Sequence, residues 1–402
     1  MSKSGLSNGR IKRLHARAQE AVETGEVAGV ITLIHRRGET IVDIAGHKHL
    51  EQPGKLERDS IFRIASMSKP ITAAAAMILV EEGKLRLDEP VDRLLPELAN
   101  RQVLKDLNGP LEDTVPANRP ITLRDLLTFR LGFGMVLGPP GEPSPIQKAM
   151  ADRQIMGLKP PTPHAPDAWI KEFGALPLMH QPGEKWMYHT GSDVLGVLIA
   201  RAAGMGFEDF LQERIFEPLG MKDTGFSVGK KQLARLTSCY SVNPQTGQLE
   251  IYDEPASSSW ATPPAFPAGG GGMVSTVDDY LAFGQMMLNG GKLGKERILS
   301  RPTVLAMTTD QMTPEQKIAS PFFPGFWDSR GWGFGVSMVT RRDSVSSSPG
   351  RFGWDGAFGT SWASDPAEDM VCILMIQRFG FAPSAAGLNA DFWTLAYQSI
   401  DD

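Results

Sequence analysis

Apolar and polar positions change period several times along this chain. From 11 to 27 apolar residues recur at helical spacing between charged ones, which predicts an amphipathic helix. The nine residues before it are polar and glycine-containing, and 1–9 reads as a disordered tail. A β-branched run over 27–35, a turn at 36–39 and an apolar stretch over 40–46 predict a β-hairpin. The short apolar run 60–64 reads as a further strand, and the alanine-rich run 71–82 as a helix ended by Gly83.

From about 95 the character changes. Helical segments at 121–128, 191–203 and 207–216 alternate with proline-dense stretches at 139–145 and 160–166, the kind of loop that often walls a site. Four consecutive glycines, Gly269 to Gly272, then permit close backbone approach. Ser275 with Asp278, or Thr276 with Asp279, gives a capping signal for a helix over 277–288. Strand-like runs follow at 331–339, 359–364 and 370–377, and a helix over 389–399 closes the chain. Strands at both ends with helices between predict a discontinuous α/β domain (10–94 and 262–402) interrupted by a mostly helical insert domain (95–261).

Composition narrows the classes. With 402 residues, 41% of them hydrophobic, the chain can bury a large core. A net charge of -5 gives no basic excess for nucleic acid, and Arg10, Lys12 and Arg13 read as a solvated helix face. Cys239 and Cys372 are too few and too distant for a disulfide framework, and Cys372, inside an apolar run, reads as an inert buried thiol. No secretory h-region and no membrane-length apolar run is visible, so a cytoplasmic location and no membrane partner are expected.

The chemistry starts at Ser66 and Lys69, an S-x-x-K pair between the 60–64 run and the alanine-rich helix. Residues three apart share a helix face, so the lysine amine would stand beside the serine hydroxyl. A serine hydroxyl needs such a base to become a nucleophile, and a buried lysine can lose its proton to act as one. An N-cap serine beside a solvated lysine would give the same letters. Acyl transfer also needs another proton carrier and an oxyanion hole. Tyr188, on a loop before the 191–203 helix, is the candidate carrier, with packing against Trp186 as the plain alternative. Gly353-Trp354-Asp355-Gly356-Ala357 offers glycines beside a strand, where backbone N–H groups can approach a ligand, although an ordinary turn looks the same.

In this order, S-x-x-K, tyrosine, glycine-rich strand, these elements resemble the serine β-lactamase-like superfamily, specifically the class C β-lactamase-related esterases or family VIII carboxylesterases. The resemblance runs from about Arg10 to the end, and the phrases around Leu87-Asp88-Glu89-Pro90 and Glu217-Pro218-Leu219-Gly220 share it. It implies a β-lactamase/transpeptidase-like α/β (α+β) fold: an antiparallel sheet flanked by helices, with the site in the cleft against the helical insert. It implies Ser66 as acylated nucleophile, Lys69 and Tyr188 as acid-base groups, and the backbone N–H groups of Ser66 and Ala357 as oxyanion hole. Trp354, Asp355, Gly356 and Thr190 would contact substrate. No metal or organic cofactor is required. Two departures bear on substrate. Tyr188-His189-Thr190 lacks the asparagine of Tyr-x-Asn, and Trp354-Asp355-Gly356 replaces Lys-Thr-Gly, removing a cation that would pair with a β-lactam carboxylate. Both favour small-molecule esters over amides. A β-lactamase or D-aminopeptidase-type amide hydrolase, an acyltransferase to an alcohol or amine, and a ligand-binding sensor on the same scaffold are the alternatives.

Other signals are weaker. Gly5-Leu6-Ser7-Asn8-Gly9 matches G-x-S-x-G but follows no strand. His47 and His49 lack a third ligand nearby and read as polar edge residues. His189, beside Tyr188, reads as a structural polar residue, with tuning of the phenol as the alternative. Trp327, Trp332 and Trp354 are expected to form an apolar acyl or alcohol site.

Overall fold

Seven strands form one antiparallel sheet: β1 (Gly29–Arg36), β2 (Glu39–Gly46), β3 (Arg330–Trp332), β4 (Ser337–Val339), β5 (Phe352–Asp355), β6 (Ser361–Asp365) and β7 (Met370–Met375). Their order is β3-β4-β5-β6-β7-β1-β2, so the N-terminal hairpin closes onto the last strand, with Ile31 opposite Met375 and Arg36 opposite Met370. The computed structural model describes residues 3–51, 54–136, 142–156, 159, 161–380 and 387–402. Parts of both proline-dense stretches, 139–141 and 160, lie outside the described residues.

The helices that position the site are α1 (Asn8–Glu23), α2 (Ser68–Glu81), α3 (Thr190–Ala203), α4 (Val277–Leu288) and α5 (Leu388–Gln398). The sheet is buried on both faces, which is why its central strands read as unbroken apolar runs. Val30, Ile34, Cys372 and Leu374 pack with Leu14 and Ala18 of α1 and Phe392 of α5. Ile31, Leu33, Ile373 and Met375 join the main core with α2 and α4. In α2, twelve of fourteen residues are buried, so this helix is interior on nearly every side. Its small side chains at 73–76 let neighbours close in: a Cβ on Gly335 would lie 2.5 Å from that of Ala73. Between 95 and 261 lie α3, shorter helices such as Leu123–Leu127 and Pro166–Gly174, and two small hairpins.

Two expectations change and one alternative is resolved. The N-terminal residues from Ser4 onward are not loose. Leu6, 5% exposed, bridges Ile400, and the Ser7 N–H donates to the Ser399 carbonyl at 2.8 Å. A single leucine finds the α1–α5 core and draws the two chain ends together. The 331–339 run is the hairpin β3–β4, because Gly335 at φ +73 lets the chain reverse. Third, Thr276 rather than Ser275 caps α4: its hydroxyl accepts the Asp279 N–H at 3.2 Å. Ser275 instead pairs with Phe62 in a two-residue ladder just before Ser66. Among the described residues, no helix is long and apolar enough to cross a membrane.

The cap makes a stability prediction. Thr276→Ala leaves one α4 N–H without its partner and should cost about 1 kcal/mol, read from urea unfolding midpoints. An unchanged midpoint would mean the cap contributes nothing.

Candidate active site

Ser66 is placed by a short ladder and one tight turn. Phe62–Arg63 pairs with Val274–Ser275, and the Ile64 N–H donates to Met273 O at 3.0 Å. Ala65 then turns left-handed at φ +43, and Ser66 sits in a 3-10 turn that runs into α2. Below it Arg63 is fully buried. Its guanidinium pairs with Asp253, donates to Thr237 O at 2.7 Å and to Ser258 Oγ at 3.1 Å, and lies 5.2 Å from the Trp260 ring centre. A buried charge held on so many sides fixes the strand that carries the serine.

Lys69 follows one turn later and is fully buried. Its Nζ lies 3.0 Å from Ser66 Oγ and 3.0 Å from His189 Nδ1, and it donates to the Gly270 carbonyl. Burial draws its ammonium down to about 7, with Asp193 opposing. His189 Nε2 lies 3.1 Å from Asp193 Oδ2, and Asp193 Oδ1 accepts the Gly270 N–H at 2.8 Å. Burial alone would raise the Asp193 carboxyl, but His189, this N–H and Lys69 outweigh it and hold it below its ordinary range. His189 has φ +88 and ψ -62, a strained conformation close to the rare γ-turn. The glycine run is what lets this cluster close. A Cβ on Gly270 would lie 2.9 Å from Asp193 Oδ1 and 3.0 Å from the His189 ring.

Tyr188 completes the cluster. The Lys69 Nζ lies 4.6 Å from its ring centre, and its phenol interacts with Ser66 and accepts the Trp354 indole N–H at 2.6 Å. Burial pushes the phenol well above its ordinary range, and the bonds to Ser66 and Trp354 only partly offset that. Trp186 stacks on the ring at 5.6 Å and Phe129 meets it edge-on at 5.7 Å.

Beyond Trp354 the chain turns back at 356–360. Thr360 Oγ1 donates to Ile64 O at 3.3 Å, and Gly356 passes so close to the same carbonyl that no Cβ fits. The turn therefore lies against the residue two before Ser66. Neither the Ser66 N–H nor the Ala357 N–H has an acceptor among the described residues. Both residues line a cavity of about 230 Å³ with Tyr188, Trp354, Asp355 and Gly356.

Other predicted residues lie elsewhere. Thr190 begins α3, is 1% exposed, leaves its hydroxyl unpartnered and does not line the cavity. The positive φ of His189 turns the imidazole, not the Thr190 side chain, towards Lys69. Trp332 is fully buried and packs behind Trp354 at 4.7 Å, and Trp327 packs on Trp186; Phe322, Phe323 and Phe326 line the cavity instead. His189, expected as a structural polar residue, and Asp193, not singled out from the sequence, lie at the centre. Their four-residue spacing at a helix start was the available signal. His49 donates to or accepts from Ser238 Oγ at 2.8 Å. Among the described residues, no cluster of three or more metal-ligating side chains occurs.

The Beta-lactamase family model matches residues 14–391. The chain belongs to the Beta-lactamase family. Protein Rv1367c of Mycobacterium tuberculosis is 38% identical over 90% of this chain and 89% of its own length. Esterase EstB of Burkholderia gladioli is 28% identical over 90% and 89%. Among solved structures, simvastatin synthase (LovD6 mutant) from Aspergillus terreus superposes with a TM-score of 0.79 at 24% identity, covering 99% of this chain and 98% of that one. EstCE1, a hydrolase with promiscuous acyltransferase activity, gives 0.76 at 23% identity, covering 98% of each chain. The fold is the β-lactamase/transpeptidase-like one expected, and this Beta-lactamase family member is an enzyme of the serine-hydrolase type.

The crowding at Gly270 is testable. Gly270→Ala should displace His189 or the Gly270 carbonyl and lower turnover at least tenfold, about the scale of a misaligned proton carrier, with an unchanged circular dichroism spectrum. Full activity in this variant would show that the close approach is dispensable.

Proposed function

We propose that the protein cleaves carboxylic esters through an acyl-enzyme on Ser66. The observation that carries this reading is the set of neighbours around Lys69. A neutral amine has two N–H groups and one lone pair. The Gly270 carbonyl and His189 Nδ1 take the two N–H groups, which leaves the lone pair for the Ser66 hydroxyl. Asp193 fixes the tautomer: with Nε2–H directed at its carboxylate, His189 Nδ1 can only accept. Lys69 is thus an oriented base, and Tyr188, still protonated at neutral pH, is the acid.

The steps follow. Ser66 Oγ bonds to the ester carbonyl carbon as its proton passes to Lys69. The oxyanion rests on the Ser66 and Ala357 N–H groups. The bond to the alcohol oxygen breaks, and that oxygen takes a proton from Tyr188, which Lys69 resupplies. Water then adds to the acyl carbon, losing a proton to the same pair, and Ser66 leaves as the hydroxyl. The apolar wall of Phe322, Phe326 and Trp354 favours an uncharged ester group next to the serine. Several relatives are named acyltransferases, and an alcohol in place of water would complete that reaction at the same site.

Ser66→Ala should abolish both cleavage of p-nitrophenyl butyrate and labelling by a serine-directed phosphonate; undiminished turnover would sink the assignment. A chromogenic cephalosporin should open slowly or not at all, and rapid Ser66-dependent opening would move the reading to amide hydrolysis. Because Lys69 must be unprotonated, kcat/KM should rise with pH through a limb near 7 and fall away below it. A flat profile from pH 5 to 9 would remove Lys69 as the base. His189→Ala should cut kcat roughly 10²-fold with little change in KM, and His189→Asn, which restores an acceptor, should recover part of the loss. Equal loss in both would make the imidazole merely structural.

A further inference from the structure

The cavity that starts at Ser66 ends in charge. Past the aromatic wall it is lined by Arg330 of β3, Arg351, Asp355 of β5 and Asn389 of α5. Arg351, 6% exposed, is already held: its guanidinium stacks 4.3 Å from the Trp393 ring centre and donates to Ser346 O. Asp355 is held too, accepting the Ser361 hydroxyl. Arg330 is not. Among the described residues its guanidinium makes no hydrogen bond, ion pair or ring contact, and its charged neighbours are Arg351, which repels it, and Asp355 and Asp343, which attract it without forming a salt bridge. None of its nitrogens is sealed in protein, and the residue lines the cavity. Asn389 is 2% exposed, and its Oδ1 has no partner.

A largely buried guanidinium with no hydrogen-bond partner is costly, and it offers five donors that match a carboxylate. We propose that the substrate is an ester bearing a carboxylate several bonds from the scissile carbonyl, with an apolar stretch between them, and that Arg330 reads that carboxylate. The apolar stretch lies along Phe322, Phe323, Phe326 and Trp354. This inference rests on the esterase reading and adds the substrate class to it.

The carboxylate can sit on the acyl or the alcohol side, and two substrates separate these. Mono-p-nitrophenyl adipate carries it on the acyl chain, and 3-(butyryloxy)benzoate on the leaving group; p-nitrophenyl butyrate is the neutral reference. The wild type should give at least one anionic ester a KM about tenfold below the reference. Arg330→Gln should erase that advantage while leaving p-nitrophenyl butyrate within about twofold, and Arg330→Lys should keep part of it. Neither anionic ester being favoured, or Arg330→Gln slowing all substrates alike, overturns the proposal while Ser66-dependent butyrate cleavage leaves the esterase reading in place. If no ester turns over, calorimetry on Ser66→Ala still decides. Monomethyl adipate should bind at least tenfold tighter than dimethyl adipate, and lose that margin with Arg330→Gln; equal or absent binding refutes the carboxylate site.

Discussion

The structure depends on keeping the amine of Lys69 out of water. An ammonium in a protein interior is expensive, so the group sheds its proton near neutrality and needs acceptors for what remains. Those demands shape everything around it. Helix α2 must be interior on nearly all sides, which the small residues at 73–76 permit. The Gly270 carbonyl must come within reach, which requires a residue without a side chain. His189 must adopt a backbone conformation that few residues accept, and it is held there by Lys69 on one ring nitrogen and Asp193 on the other. Strain of this kind persists only where surrounding contacts over-determine it.

The second requirement is that segments remote in sequence meet at the serine without play. Arg63 ties the strand before Ser66 to Asp253 and Ser258 of the 95–261 region and to Gln377 after β7. On the opposite side Thr360 and Gly356 press the β5 turn against Ile64. The chain thus approaches Ser66 from its early, middle and late thirds, and the Arg63 and Thr360 contacts are buried polar bonds rather than adjustable apolar ones. Such bonds have narrow geometry, so they set position where apolar packing alone would allow drift.

How much of this was legible depends on the range of each interaction. Ser66 and Lys69 were legible because their partnership is local, three residues on one helix. The α4 helix was legible because its cap is local, although two overlapping signals hid which residue served. The β1–β2 hairpin was legible from its alternating runs and short turn. Leu6 meeting Ile400 was not, since no local pattern marks which apolar residue at a chain end will find the core. The aromatic residues divided for the same reason: Trp354 and Trp332 look alike in sequence, and only strand pairing decides which faces the cavity and which backs it. His189 and Thr190 were exchanged in role by one backbone torsion, which side-chain identity does not encode.

Burial acts on two cations here with opposite consequences. Lys69 answers desolvation by becoming neutral, because an amine can give up its proton at a pH the cell provides. Burial also lowers Arg330 from its ordinary value, and the nearby Arg351 adds to the shift, yet a guanidinium starts so high that it stays charged. Beside Ser66, at one end of the cavity, stands an amine that has lost its charge, and the cavity wall carries an arginine that cannot. On the proposed mechanism the first serves proton transfer at Ser66. The second makes no hydrogen bond or ion pair among the described residues, although Asp355 and Asp343 attract it. Protein interiors tolerate such a group when an incoming molecule completes it, and the charge that completes a guanidinium is an anion.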